Sequence, residues 1–159
     1  MIGHLQSRKA QPACEYFQYV HSLDSVKLAE RLDRFAGSMG KTLPGWLEFN
    51  ASGEESKFGW NIKNEGNWNN VLTEIDKILK LPNLNILGLM TVPPYSDDPE
   101  TARPYFRHLR EFQAFVINQL KPSNFTELSI GMSSDFEIAI QEGSTCVRIG
   151  QAILGPRPG

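Results

Sequence analysis

Two glycine turns near the end of the chain carry the residue types best suited to chemistry. The first is Leu128-Ser129-Ile130-Gly131-Met132-Ser133-Ser134, which leaves a short apolar strand and opens into a helix. The second is Cys146-Val147-Arg148-Ile149-Gly150-Gln151. Glycine lets a backbone come close to a ligand, and N–H groups at the start of a helix attract an anion such as phosphate. Between Ser133 and Gly150 lie 17 steps of chain (150 − 133), room for one short helix and one strand. A strand, a crossover helix and a parallel strand bring both strand ends to one edge of a sheet. The two turns are therefore expected side by side, facing one anion. Arg148 stands between Val147 and Ile149 in a strand expected to be buried, so it needs a partner, which favours a functional role.

Other reactive side chains read as structural. His4, His21 and His108 form no metal set. His108 lies between Arg107 and Arg110 and is expected on the wet face of a long helix. His21, at a strand end, is expected to be hydrogen-bonded rather than to act as a base. Asp97, Asp98 and Glu100 share a loop but lack metal-ligand spacing. Trp46, Trp60 and Trp68 read as packing residues, since no basic patch accompanies them as nucleic-acid binding requires. Cys14 and Cys146 lie far apart and read as reduced thiols of a cytosolic protein, Cys146 within a strand. The net charge of −2 over 159 residues gives no general attraction to nucleic acid or anionic membrane. No apolar run is long enough to cross a bilayer, and Met1-Ile2-Gly3-His4-Leu5-Gln6 has no signal-peptide pattern.

The elements that must position these residues alternate between two hydrophobic periods. Strands are expected at 1–5, 17–20, 46–51, 84–92, 128–130 and 145–149. Asp24 or Ser25 can cap a helix carrying Leu28, Ala29, Leu32, Phe35 and Ala36, stopped by Gly37 and Gly40. Val71, Leu72, Ile75, Ile78 and Leu79 form a second helical stripe, closed by Pro82. Tyr105, Leu109, Phe112, Val116 and Leu120 mark a long helix ending at Pro122. Ser134 and Glu137 have capping-box spacing for a helix that Gly143 ends. The polar segment 52–59 and the segment 93–100 are loops.

Strand–helix alternation argues for a parallel α/β sheet in one domain, with 40% hydrophobic residues to fill its core. An open doubly wound sheet and a (β/α)8 TIM barrel both suit the pattern. A barrel places active sites on the loops after its strands and often holds phosphate after the last two. If the two glycine turns follow those strands, Met1 begins in strand three, and strands three to eight are present. A full barrel needs about 250 residues, so the expectation is a single partial barrel over residues 1–159.

Several segments resemble the pyridoxal phosphate (PLP) homeostasis proteins (YggS/PROSC type), which share the N-terminal barrel of alanine racemase. They are Ile2-Gly3-His4-Leu5-Gln6-Ser7, His21-Ser22-Leu23-Asp24-Ser25, Gly53-Glu54-Glu55-Ser56-Lys57-Phe58-Gly59, Gly88-Leu89-Met90-Thr91 and the two glycine turns. The resemblance implies pyridoxal 5'-phosphate as cofactor. Its phosphate would meet Ser133 and the backbone of Gly131 and Met132, with Ile149, Gly150 and Gln151 adding the neighbouring turn. Arg148 would face the pyridine nitrogen and, able only to donate, keep it unprotonated. Met90 would pack near the ring, and Lys57 would lie near the phenolic oxygen. The family's Schiff-base lysine belongs to a strand that precedes everything in this chain, and no lysine here occupies a comparable apolar strand.

The leading expectation is a non-catalytic, cytoplasmic PLP-binding protein that holds the cofactor noncovalently or not at all. A PLP-dependent racemase-like enzyme and an interaction module are the alternatives. Exposed edges on the first and last strands predict self-association.

Overall fold

The computed structural model describes residues 1–155. Five parallel strands follow one another across a sheet: β1 (Val20–Leu23), β2 (Leu43–Asn50), β4 (Leu84–Met90), β5 (Glu127–Met132) and β6 (Cys146–Arg148). A two-residue strand, β3 (Trp60–Asn61), pairs with the end of β2. Neighbours in space are thus neighbours in sequence. With crossovers all of one hand, this order puts every connecting helix on the same face and curls the sheet into an arc of a barrel. The doubly wound alternative, which needs a reversal of strand order, does not occur.

Among the described residues six α-helices accompany the strands: α1 (Ala10–Tyr16), α2 (Val26–Ser38), α3 (Trp68–Leu79), α4 (Arg103–Leu120), α5 (Phe136–Gln141) and α6 (Gln151–Leu154). Ser25 caps α2, its hydroxyl accepting from the Leu28 N–H. α4 ends where Lys121 turns left-handed, directly before Pro122. None of the described helices is long and apolar enough to cross a membrane.

Several expectations need correction. Residues 1–5 are not a strand. They run beside β1 as irregular chain, held by Met1 N to Tyr19 O at 2.7 Å and His21 N to Met1 O at 2.8 Å. The strand expected at 17–20 begins only at Val20 and continues to Leu23, because residues 17–19 form the irregular link that leads out of helix α1 at its C-cap Phe17. Helix α1 has too few apolar residues for a periodic signal. Strand β3 is too short for one. The six strands observed therefore equal the number expected, with β3 in place of the first.

The sheet has two unlike faces. Leu47 and Phe49 of β2, Leu89 of β4, and Leu128 and Ile130 of β5 join the helices in one apolar core. Phe49 meets Phe112 at 5.0 Å between ring centres, and Phe112 meets Trp68 at 5.2 Å. Gly45 pairs with Ile86 but Trp46 with Gly88, so β4 carries a bulge. The extra residue exchanges the faces. Leu84 and Ile86 face the core before it and Leu89 after it, which turns Met90 the other way. Met90 is buried yet outside the helix-side core, and it shares a register row with Glu48 and Ser129. This second, concave face is where the polar residues collect.

Candidate functional site

The two glycine turns lie against each other. The Ser133 hydroxyl accepts from the backbone N–H of Gly150 at 3.3 Å and of Ala152 at 3.0 Å. Gly131 makes the bend possible with φ +94°, and a Cβ there would lie 2.5 Å from the Ala139 Cβ. Gly150 is different: its φ is −123°, and a Cβ there would meet nothing within 4 Å. Among the described residues nothing requires glycine at 150. The open space beside it leaves the turn approachable from outside.

The capping box at Ser134 does not form. Asp135 occupies the N-cap of α5, and its carboxylate reaches back to accept from the Met132 N–H at 2.6 Å. The Met132 N–H is therefore engaged. Among the described residues, the N–H groups of Ser133, Ser134 and Gln151 donate to no protein acceptor. Helices α5 and α6 have six and four residues, so individual N–H groups and the Ser133 hydroxyl matter more here than a macrodipole. Ile149 is half-buried and Gln151 exposed at this turn.

Arg148 extends from β6 under the sheet's concave face and is 9% exposed. Its guanidinium donates to Ser129 O at 2.5 Å, Ser129 Oγ at 2.8 Å and Thr91 O at 2.9 Å. These bonds use the two terminal nitrogens, and Nε has no acceptor among the described residues. Burial lowers the Arg148 pKa from its ordinary value, with Cys146, Glu48 and Asp135 opposing.

The chain of contacts continues to β1. Ser129 Oγ lies 2.8 Å from His21 Nδ1, and His21 stacks on Trp46 at 3.9 Å. Burial first, then the Arg148 charge and the amino terminus, pull the His21 pKa down to about 4. A neutral ring carries a single N–H: with that proton on Nε2, Nδ1 accepts and the serine donates to His21 while accepting from Arg148. Ser129→Ala removes both bonds and is expected to cost about 1–3 kcal/mol. Urea unfolding at neutral pH measures it, and an unchanged midpoint would show that the relay adds no stability.

Glu48 is a further site residue, and its signal in the sequence is a charged residue between Leu47 and Phe49 in an apolar strand. It is 9% exposed, and its Oε2 is sealed without a hydrogen-bond partner. Burial, then Asp24, push its carboxyl up to about 7, against the pull of Arg148 and Lys57. The Trp46 Nε1, two residues earlier on the same face, is also sealed and unpartnered. Ser129 and Thr91 give no such signal, because their role is to accept from a residue far along the chain.

The remaining candidates fall into place. Lys57 Nζ donates to Pro93 O at 3.3 Å and lines a crevice with Tyr95, Met132, Ser134 and Asp135. It thus stands at the same end of the sheet as the first glycine turn. His4 pairs with Asp24 at 3.0 Å and stacks on Phe58 at 3.7 Å. His108 is not on a wet face: Nε2 lies 2.7 Å from Ile62 O, beside the Trp68 ring. Asp98 caps the turn at Glu100, and Glu100 pairs with Arg103. Among the described residues no group of three His, Cys, Asp or Glu could hold a metal ion.

Comparison with known proteins agrees with this architecture. The family model of the alanine racemase N-terminal domain matches residues 1–158. The pyridoxal phosphate homeostasis protein of Aquifex aeolicus is 40% identical over 157 residues, covering 98% of this chain and 65% of the relative. That of Synechocystis is 36% identical over 156 residues, covering 98% and 68%. The chain therefore spans about two thirds of the length of these relatives. PipY from Synechococcus elongatus PCC7942, solved with PLP bound, matches with a TM-score of 0.83 at 35% identity, over 96% of this chain and 68% of that one. An alanine racemase from Clostridium difficile, at 15% identity and a TM-score of 0.73 over 99% of this chain and 41% of that one, shares the fold alone. Sequence, domain model and barrel arc together place this chain in the family of pyridoxal phosphate homeostasis proteins, built on the N-terminal domain of alanine racemase.

Proposed function

We propose that the chain binds pyridoxal 5'-phosphate without turning over a substrate. The phosphate is assigned to the paired turns: the Ser133 hydroxyl and the backbone at Ser133 and Ser134, in the bend that Gly131 and Met132 shape, and the backbone at Ile149, Gly150 and Gln151. The observation that carries this reading is Ser133 Oγ held by the N–H groups of Gly150 and Ala152, with open space where a Cβ of residue 150 would stand. Those N–H groups are already aimed at an oxygen. A phosphate oxygen can take the place of the hydroxyl oxygen, and the hydroxyl can then rotate to donate. Because Asp135 holds the Met132 N–H, the first turn contributes through Ser133 and Ser134.

Arg148 is assigned to the pyridine nitrogen. Its terminal nitrogens are anchored on Ser129 and Thr91, which leaves Nε as the donor that can meet a ring acceptor. A group that only donates keeps that nitrogen unprotonated. Met90 forms an apolar support on the same face, and Lys57 stands at the rim. The cofactor, when bound, supplies an aldehyde that condenses with primary amines. In this assignment the protein's own residues bind and orient it and hold no proton in transit.

Absorbance titration with PLP tests the proposal. The wild-type chain should shift the PLP spectrum saturably, inorganic phosphate should compete, and Ser133→Ala should weaken binding about tenfold, the loss of one charge-assisted hydrogen bond. Equal affinity in the Ser133 variant would remove the phosphate assignment. Retention of cofactor on a lysine after borohydride treatment would overturn noncovalent binding.

A further inference from the structure

We infer that Glu48 is the acceptor for a primary ammonium group that enters the concave face. Glu48 is more than nine-tenths buried, and neither carboxylate oxygen has a donor among the described residues. Such a group is expensive to keep unless a partner arrives. Arg148 does not serve. It is close enough to be felt, yet it spends its donors on Ser129 and Thr91 and forms no ion pair with Glu48.

The shape of the site selects the partner. Oε2 is sealed, and only the other oxygen keeps accessible surface. A guanidinium prefers two parallel bonds to both oxygens, which this seal prevents. A divalent cation needs several oxygen ligands, and a single approachable carboxylate oxygen cannot supply them. A compact ammonium, a point charge satisfied by one oxygen, fits. The charged groups that act on Glu48 are Asp24 from the turn after β1, Lys57 from the loop after β2 and Arg148 from β6, while the neutral His21 of β1 stacks on Trp46, two residues before it. Their neighbours on β4 and β5, Met90 and Ser129, do not titrate in the working range. Because the carboxyl ionises near pH 7, ammonium binding should strengthen as pH rises through neutrality.

The ammonium can belong to a free amine or to a lysine side chain of another polypeptide segment. Methylammonium and Nα-acetyl-lysine amide separate these sources, with tetramethylammonium as the control that cannot donate. Isothermal titration of the wild-type chain at pH 8 should detect methylammonium, the lysine derivative, or both. Binding should be about tenfold weaker at pH 6 and absent in Glu48→Gln, while tetramethylammonium should not bind at either pH. Glu48-dependent binding of methylammonium points to a free amine. Binding of the lysine derivative alone points to a polypeptide. Failure of both, or binding that survives Glu48→Gln, overturns the inference. PLP titration of the same variant keeps the two proposals apart, since Glu48→Gln leaves the phosphate turns untouched.

Discussion

Gly131→Ala is expected to destabilise the protein strongly, whereas Gly150→Ala is expected to leave stability unchanged and weaken PLP binding at least tenfold. At φ +94° a side chain is strained whatever the space around it, at a cost of roughly 1–2 kcal/mol. The new methyl would also lie 2.5 Å from the Ala139 Cβ and 3.1 Å from the Phe136 Cα. The second neighbour is backbone, so helix α5 must move off β5, adding about 1–3 kcal/mol. Position 150 has neither problem. A methyl there is free of protein contacts and stands where the cradle is approachable. Urea unfolding and PLP titration of the two variants give a crossed result: stability lost in one, affinity lost in the other. A Gly150→Ala chain that binds PLP as the parent does would remove that turn from the site. The contrast separates two uses of glycine that look identical in sequence, one for the fold and one for a ligand.

What was legible in the sequence followed from locality. The turn pair could be placed because 17 residues allow one crossover and little else, so Ser133 and Gly150 had to return to the same edge. The stripes of α2, α3 and α4 were visible because each buries one face. Arg148 stood out because charge in a buried strand demands an explanation. Its partners did not, since Ser129 and Thr91 are reached across strands and their acceptors include backbone oxygens that no side-chain pattern encodes. The capping box at Ser134 misled because Asp135 had a competing donor behind it, the Met132 N–H. His108 misled because a carbonyl from Ile62, 46 residues earlier, takes its ring nitrogen. Met90 was placed near the cofactor by resemblance. The reason it faces that way is a bulge in β4, which strand propensity does not reveal.

Glu48→Gln and His21→Gln should expose two opposing pH dependences that nearly cancel in the parent. Glu48 titrates at about 7 in the folded chain, against 4.5 for an unperturbed carboxyl. Between those values the folded state holds a proton that the unfolded state has released. Its contribution is therefore full below about pH 4.5 and is lost as pH rises to 7. The shift corresponds to up to about 3 kcal/mol. His21 runs the other way. Its folded pKa is about 4 against 6.5, so the unfolded state binds the extra proton. Its contribution is full above 6.5 and is lost as pH falls to 4. Between pH 4.5 and 6.5 the two slopes have opposite signs. Urea unfolding of the parent should vary little with pH across that window. Glu48→Gln should leave the His21 slope alone, with stability rising from pH 4 to 6.5 and exceeding the parent's at pH 8. His21→Gln should leave the Glu48 slope, with stability falling from pH 4.5 to 7. Parallel curves for the parent and Glu48→Gln between pH 5 and 8 would mean that the buried carboxyl has a partner after all.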